Sequence, residues 1–196
     1  MKFQKEVVPV IPSKDIVTGN PSAGIQVVMF GDYESDACAK ANDVVAELLE
    51  EYDGKINFVF RHFPLTRLHQ KAHKAAEASI GAGQEGKFWE MHQYLYGHRK
   101  SLGMISLKSY AREVGVTDKK FLDHLMNSYY GWFVQDDLKD GLNLGVTDIP
   151  AFFINGKRFD KEPSLKNFKA YINDLAKELG SKAGKPKEKK KTLVAG

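Results

Sequence analysis

Residues 30–41 read FGDYESDACAKA. The stretch is a joint between two periodicities. Before it, IQVVMFG at 25–31 is a short run of β-branched, aromatic and other apolar residues, the pattern of a buried strand. After it, AKANDVVAELLEEY repeats with the period of a helix, and Val44, Val45, Leu48, Leu49 and Tyr52 fall on one stripe. Ser35 stands where an N-cap belongs, with Asp36 in the first turn, where negative charge suits the helix dipole. Gly54 ends the helix, and KINFVFRH at 55–62 reads as a second strand. Strand, helix and strand within about 38 residues form a βαβ unit, whose strands run parallel with a right-handed crossover.

The chain then turns helical. Helices are predicted over 68–83, from Gly86 through KFWEMHQYLYGH, and over 106–114, 118–128 and 129–144, with Ser106 and Asp118 as N-caps. It returns to β at AFFI, 151–154, where Asn155-Gly156 is a strong two-residue hairpin signal and KRF begins the partner strand. A last amphipathic helix over 164–178 carries Leu165, Phe168, Tyr171, Ile172 and Leu175 on its apolar face. Beyond Gly180 the composition becomes low in complexity and is read as a disordered tail, 181–196. No internal repeat is present.

Composition narrows the function classes. The 196 residues, 42% of them hydrophobic, can bury a sizeable core. The net charge of +4 is a property of the tail: KAGKPKEKKK at 182–191 holds six Lys and one Glu. Taking that stretch out of the 29 basic and 25 acidic residues leaves 23 and 24, a body near neutral. The tail has no aromatic residue and no amphipathic pattern, so it reads as a solvated terminus, and no nucleic-acid partner is expected. No run approaches the roughly 18 apolar residues of a membrane span. MKFQKEVVPV at the start lacks the apolar segment of a signal peptide, and the expected location is cytoplasmic. Cys38 is the only cysteine, so no disulfide can form within the chain.

Two segments carry the chemistry: FGDYESDACAKA at 30–41 and GVTDIPAFFINGKRF at 145–159. Together they resemble the DsbA-like thioredoxin family, whose pattern is roughly F-x-D-(Y/F)-x-C-P-x-C followed by G-V-x-x-x-P-x-F-x-(I/V)-N-G. The similarity spans about residues 15–175. DIVTGNPSAGIQVVMFGDYES, RHFPLTRLH and EGKFWEMHQYLYGH are similar to one branch, the cytoplasmic DsbA-like proteins and the thioredoxin-like domains fused to some Na⁺/H⁺ antiporters. The resemblance implies an α/β thioredoxin fold with a helical insertion between its βαβ and ββα halves. It places the domain at 1–180, with the core at 15–63 and 145–178 and the insertion at about 64–144.

The departure from the pattern is at the site itself. The family's first cysteine falls on Ser35 and its following proline on Asp36, while the second cysteine matches Cys38. In the family the first sulfur lies at the helix N-terminus, where the N–H groups and the dipole favour the thiolate that attacks disulfides; the second resolves the mixed disulfide one turn on. A serine hydroxyl cannot form a disulfide, so no two-electron dithiol cycle can run within this chain. Pro150 resembles the family's cis-proline, which implies packing close to Cys38 and a backbone at Ile149 open to pair with a substrate strand.

Three functions remain open on these residues. The first is a degenerate thiol–disulfide oxidoreductase, monothiol or redox-impaired, that keeps a groove at Ile149 and Pro150 for a thiol- or disulfide-bearing peptide. The second is a glutathione-handling enzyme similar to the kappa-class transferases, in which a serine at this position holds the glutathione thiolate. Against it, those families follow the serine with a proline and an aromatic residue, where this chain has Asp36-Ala37. The third is a non-enzymatic binding protein. Each site residue also has a plain structural reading: Ser35 as an N-cap, Cys38 as a small core residue, Pro150 as an ordinary pre-strand proline. No metal or other cofactor is expected: His69 and His73 are four apart on a predicted helix, but no third ligand accompanies them. Trp89 is read as core between insertion and sheet, and Asp32 as a residue that orients its turn.

Overall fold

The computed structural model describes residues 9–183. The βαβ unit at its centre is β2 (Ile25–Gly31), α1 (Asp36–Glu51) and β3 (Ile56–His62), with β1 (Val17–Gly19) ahead of it. β2 and β3 pair in parallel, in register from Ile25↔Ile56 to Gly31↔His62. β3 is buried at every position except the half-buried Arg61, as expected of a strand covered on both faces. The short edge strand β1, antiparallel to β3 with Val17 opposite Val59, was not legible in the sequence because three residues, VTG, are too few to show a period.

β4 (Ala151–Ile154) pairs antiparallel with β2, and β5 (Lys157–Phe159) with β4. Among the described residues these strands form one sheet of order β1-β3-β2-β4-β5. The hairpin turn is as the sequence predicts: Asn155 and Gly156 both take positive φ, 47° and 76°, the pair of left-handed residues a type I′ turn requires. Asn155 also bonds the turn to β2, its Oδ1 accepting from Gln26 N at 2.7 Å and its Nδ2 donating to the Gly24 carbonyl at 2.9 Å.

The helical insertion comprises α2 (Ala72–Gly83), α3 (Phe88–Gly97), α4 (Met104–Glu113), α5 (Phe121–Met126) and α6 (Gly131–Asn143). α2 is lined by small residues, which lets its neighbours close in. A methyl group added at Gly81 would lie 3.0 Å from both the Phe121 and Tyr130 rings. Trp89 packs its ring 5.6 Å from Phe58 of β3, so the insertion and the sheet share a core. α7 (Leu165–Ala183) closes the other side, with Phe168 stacked at 4.5 Å on Phe159 and edge-on at 5.0 Å to Phe152. Full burial of Phe168 and Ile172 is worth roughly 1.5–3 kcal/mol each.

Helix ends differ from the sequence reading. α2 begins at Ala72 rather than 68, because Leu68 and His69 turn back to bond the Leu65 carbonyl. α4 starts at Met104 with Gly103 as its N-cap, so Ser106 lies inside the helix and not at its cap. The earlier start suits Leu107, which is fully buried. α5 starts at Phe121 with Lys120 in the cap position and no side-chain cap bond, so Asp118 is not its N-cap; its carboxylate accepts from Lys120 N at 2.9 Å within the turn before the helix. α7 continues to Ala183, past the predicted end at 178. The rest of the lysine-rich stretch, from 184, lies outside the described residues.

Candidate functional site

Ser35 caps α1. Its backbone is extended (φ −77°, ψ 122°), its Oγ accepts the Cys38 N–H at 3.2 Å, and its carbonyl accepts from Ala39 N at 3.0 Å. Capping residues of this kind contribute about 1 kcal/mol. Cys38, one turn on, is fully buried. Burial pushes its thiol up to about 11; the Ser35 hydroxyl and the Asp32 backbone favour the thiolate, and the Asp32 charge opposes it. Burial outweighs these hydrogen bonds and disfavours the Cys38 thiolate. Tyr96 is close enough that charge on Cys38 is felt at its phenol, and the Tyr96 hydroxyl is buried with no hydrogen-bond partner among the described residues.

Asp32 organises the loop that leads to the cap. Its buried carboxylate accepts from Glu34 N at 2.8 Å through Oδ1, and from Leu65 N and His69 Nδ1 at 2.9 Å through Oδ2. Glu34 in turn accepts from Lys71 N at 2.7 Å. Two carboxylates thus clamp the turn before Ser35 to the segment before α2. Asp36 forms an ion pair with Arg99 beyond α3. That pairing, led by the hydrogen bond from Arg99, holds the Asp36 carboxyl below its usual range.

Ile149 and Pro150 precede β4, and the peptide between them is cis. Phe30 of β2 pairs with Ala151, so the next pair outward sets Pro150 at the end of β2 where Gly31 leads into the Asp32 turn. The two predicted segments therefore meet at one end of the central strand. The N–H and C=O of Ile149 make no hydrogen bond to the described residues, while its side chain is anchored against two apolar clusters. Leu142 and Leu144, on the chain leading to this loop, and Leu68, beside His69, are exposed.

His69 and His73 do not converge. His69 turns to Asp32, while His73 lies 3.1 Å from Glu77 and 3.2 Å from the Gln135 amide. A further polar constellation went unread in the sequence because its members come from distant segments. Asp137 Oδ2 lies 2.8 Å from His62 Nδ1, and His62 Nε2 lies 2.8 Å from Ser79 Oγ, a Ser-His-Asp order. All three are buried, and the Ser79 hydroxyl donates to the Ala76 carbonyl at 2.9 Å. A serine so engaged and so enclosed reaches no substrate. Arg61 and Ser13 complete the cluster, which ties β3 to α2, α6 and the turn before β1. His92 is likewise structural: burial pushes it down to about 3, and its neutral ring joins Tyr33 to Asn42.

Residues 12–174 match the family described as Thioredoxin. The chain is 39% identical over 167 residues to a Na⁺/H⁺ antiporter NhaA 1 of Salinispora arenicola, a match covering 85% of this chain and 25% of that protein. The chain thus spans about a quarter of the length of the curated antiporters it matches. Among solved structures, it is similar to a thioredoxin-like oxidoreductase from Silicibacter pomeroyi (TM-score 0.72, 25% identity, 83% of this chain and 92% of that one). It also shares the fold of Wolbachia pipientis alpha-DsbA1 (TM-score 0.74, 21% identity, 90% and 97%). Among the described residues, no helix is long and apolar enough to cross a membrane.

Proposed function

The chain belongs to the thioredoxin family, in its DsbA-like branch, and from that premise we propose that it is a redox-impaired member. It binds an extended thiol- or disulfide-bearing peptide at Ile149 and Pro150 and runs no dithiol cycle of its own. The observation that carries this reading is the state of Cys38, buried, protonated, and facing a hydroxyl where a partner sulfur is needed. Disulfide reduction takes two electrons from two sulfurs: one attacks, releases a thiolate and forms a mixed disulfide, and the second displaces the product thiolate. Ser35 Oγ can do neither, and with a thiol pKa near 11 only about one Cys38 in ten thousand is a thiolate at pH 7.

The binding half rests on Ile149. A free N–H and C=O on one residue, fixed by its own packed side chain, offers a ready pair of hydrogen bonds to a peptide strand. Exposed Leu142 and Leu144, on the chain leading to this loop, add apolar surface. A cytoplasmic setting suits a protein whose lone thiol needs no oxidising compartment. The glutathione reading is weaker, because Asp36-Ala37 follows the serine where the kappa-class pattern has a proline and an aromatic residue.

Ser35→Cys tests the proposal. The variant restores two sulfurs at the helix N-terminus and is expected to reduce insulin disulfides, with the unmodified protein at background. Turnover by the unmodified protein would contradict the impaired-redox reading. A silent S35C variant that is folded would mean that the scaffold around the site is not that of a latent oxidoreductase.

A further inference from the structure

The helical insertion holds a cavity of about 280 Å³ between α4, the connecting segment 116–119 and α5. It is near the small end of the range typical of small-molecule sites, ~300–1,000 Å³. Its apolar lining is Ala111, Val116 and Phe121, all buried, with half-buried Leu122. Lys108, Arg112 and Lys119 stand around it.

These three side chains have no ion-pair or hydrogen-bond partner among the described residues. The cavity's one carboxylate, Asp118, is engaged elsewhere, with His124 at 3.1 Å and with the Lys120 N–H. Three unpaired cations therefore face one committed anion, on a body whose overall charge outside the tail is near neutral. The wall is also held in place beforehand. Glu85 accepts from the Thr117 N–H at 2.9 Å, from its hydroxyl at 2.6 Å and from the Asp118 N–H at 2.9 Å, which fixes the segment between the helices. A wall fixed in advance lowers the cost of ordering on binding.

We infer that this cavity binds a small amphiphilic anion, a carboxylate or phosphate monoester carried on a short apolar body. The cations at the mouth take the charged group, with the Arg112 fork suited to two of its oxygens, and the buried Ala111, Val116 and Phe121 take the apolar part. An extended polyanion is a poorer fit, because the site presents no exposed aromatic face for base stacking, its one ring, Phe121, being buried.

Calorimetry on the full chain with three probes tests this. Octanoate has both parts, octanol lacks the charge, and inorganic phosphate lacks the apolar body. Saturable octanoate binding is expected, with the other two at least about tenfold weaker. Lys108→Ala combined with Arg112→Ala should weaken octanoate by a similar factor, and Lys119→Ala, outside α4, provides an independent check should the α4 double variant lose helicity. No saturable octanoate binding, or binding indifferent to all three substitutions, would overturn the inference. So would phosphate binding as tightly as octanoate, or a single-stranded RNA that competes octanoate away from these residues.

Discussion

The hydroxyl oxygen of Ser35 accepts the backbone N–H of Cys38 at 3.2 Å, so one of the two candidate site residues serves as the cap of the helix that carries the other. This one bond joins the two readings of Ser35. It explains how the helix starts at this point on a hydroxyl alone.

Removing the cap should be measurable as stability. Ser35→Ala leaves the Cys38 N–H unpartnered and is expected to cost about 1 kcal/mol. Urea unfolding followed by circular dichroism would report it as a lower midpoint at unchanged slope. An unaltered midpoint would mean that the cap bond contributes nothing net.

The charge on Asp32 acts on the thiol. It disfavours the Cys38 thiolate, so Asp32→Asn should move the thiol pKa downward, toward the ordinary value. The same change alters the hydrogen bond to His69 while leaving an oxygen for a backbone N–H. The check is the pH midpoint of Cys38 alkylation in the two proteins; an upward move would refute the assignment of Asp32 as a destabilising charge.

Asp137 gives an acid-side prediction. Burial alone would raise its carboxyl, but the hydrogen bonds and charge of His62, together with the charge of Arg61, outweigh it and hold it below the usual range. A folded-state pKa below the unfolded value of ~3.9 stabilises the protein above that pH, and the contribution is lost as pH falls through the lowered value. Asp137→Asn should therefore flatten the loss of stability on acidification, and at pH 7 it should cost roughly 1–3 kcal/mol by taking a carboxylate oxygen from the His62, Ser13 and Arg61 bonds, Arg61 keeping its pairing with Asp140 at 2.7 Å. Denaturant titrations between pH 7 and 2 on both proteins would show whether the curves converge in acid as expected.

The hairpin turn is a further check on the sheet. Asn155 holds φ 47° and bonds both Gln26 and Gly24. Asn155→Ala loses these bonds at a left-handed position, and a loss of about 1–3 kcal/mol is expected. Asn155→Gly, which keeps the φ but not the bonds, should fall in between.

What was legible followed local signals. The strand-to-helix joint at 30–41 was readable because its two periods differ and Ser35 marks the boundary. Asn155-Gly156 was readable because few residue pairs tolerate two positive φ values. What escaped depends on segments far apart in the chain. The Ser79, His62 and Asp137 cluster draws on two helices and a strand, so no spacing reveals it. The carboxylate of Asp32 meets Leu65 and His69 only after the crossover returns. The state of Cys38 was also open, since a helix N-terminus lowers a thiol pKa and burial raises it, and only the packing decides between them. Gly103 took the cap expected at Ser106 because burying Leu107 set where α4 had to begin.

The rate of Cys38 alkylation by iodoacetamide against pH tests the central claim most directly. The account predicts slow modification near neutrality, rising about tenfold per pH unit with a midpoint near 11. A midpoint well below the unperturbed ~8.5, with fast modification at pH 7, would contradict it and make Cys38 an activated thiol.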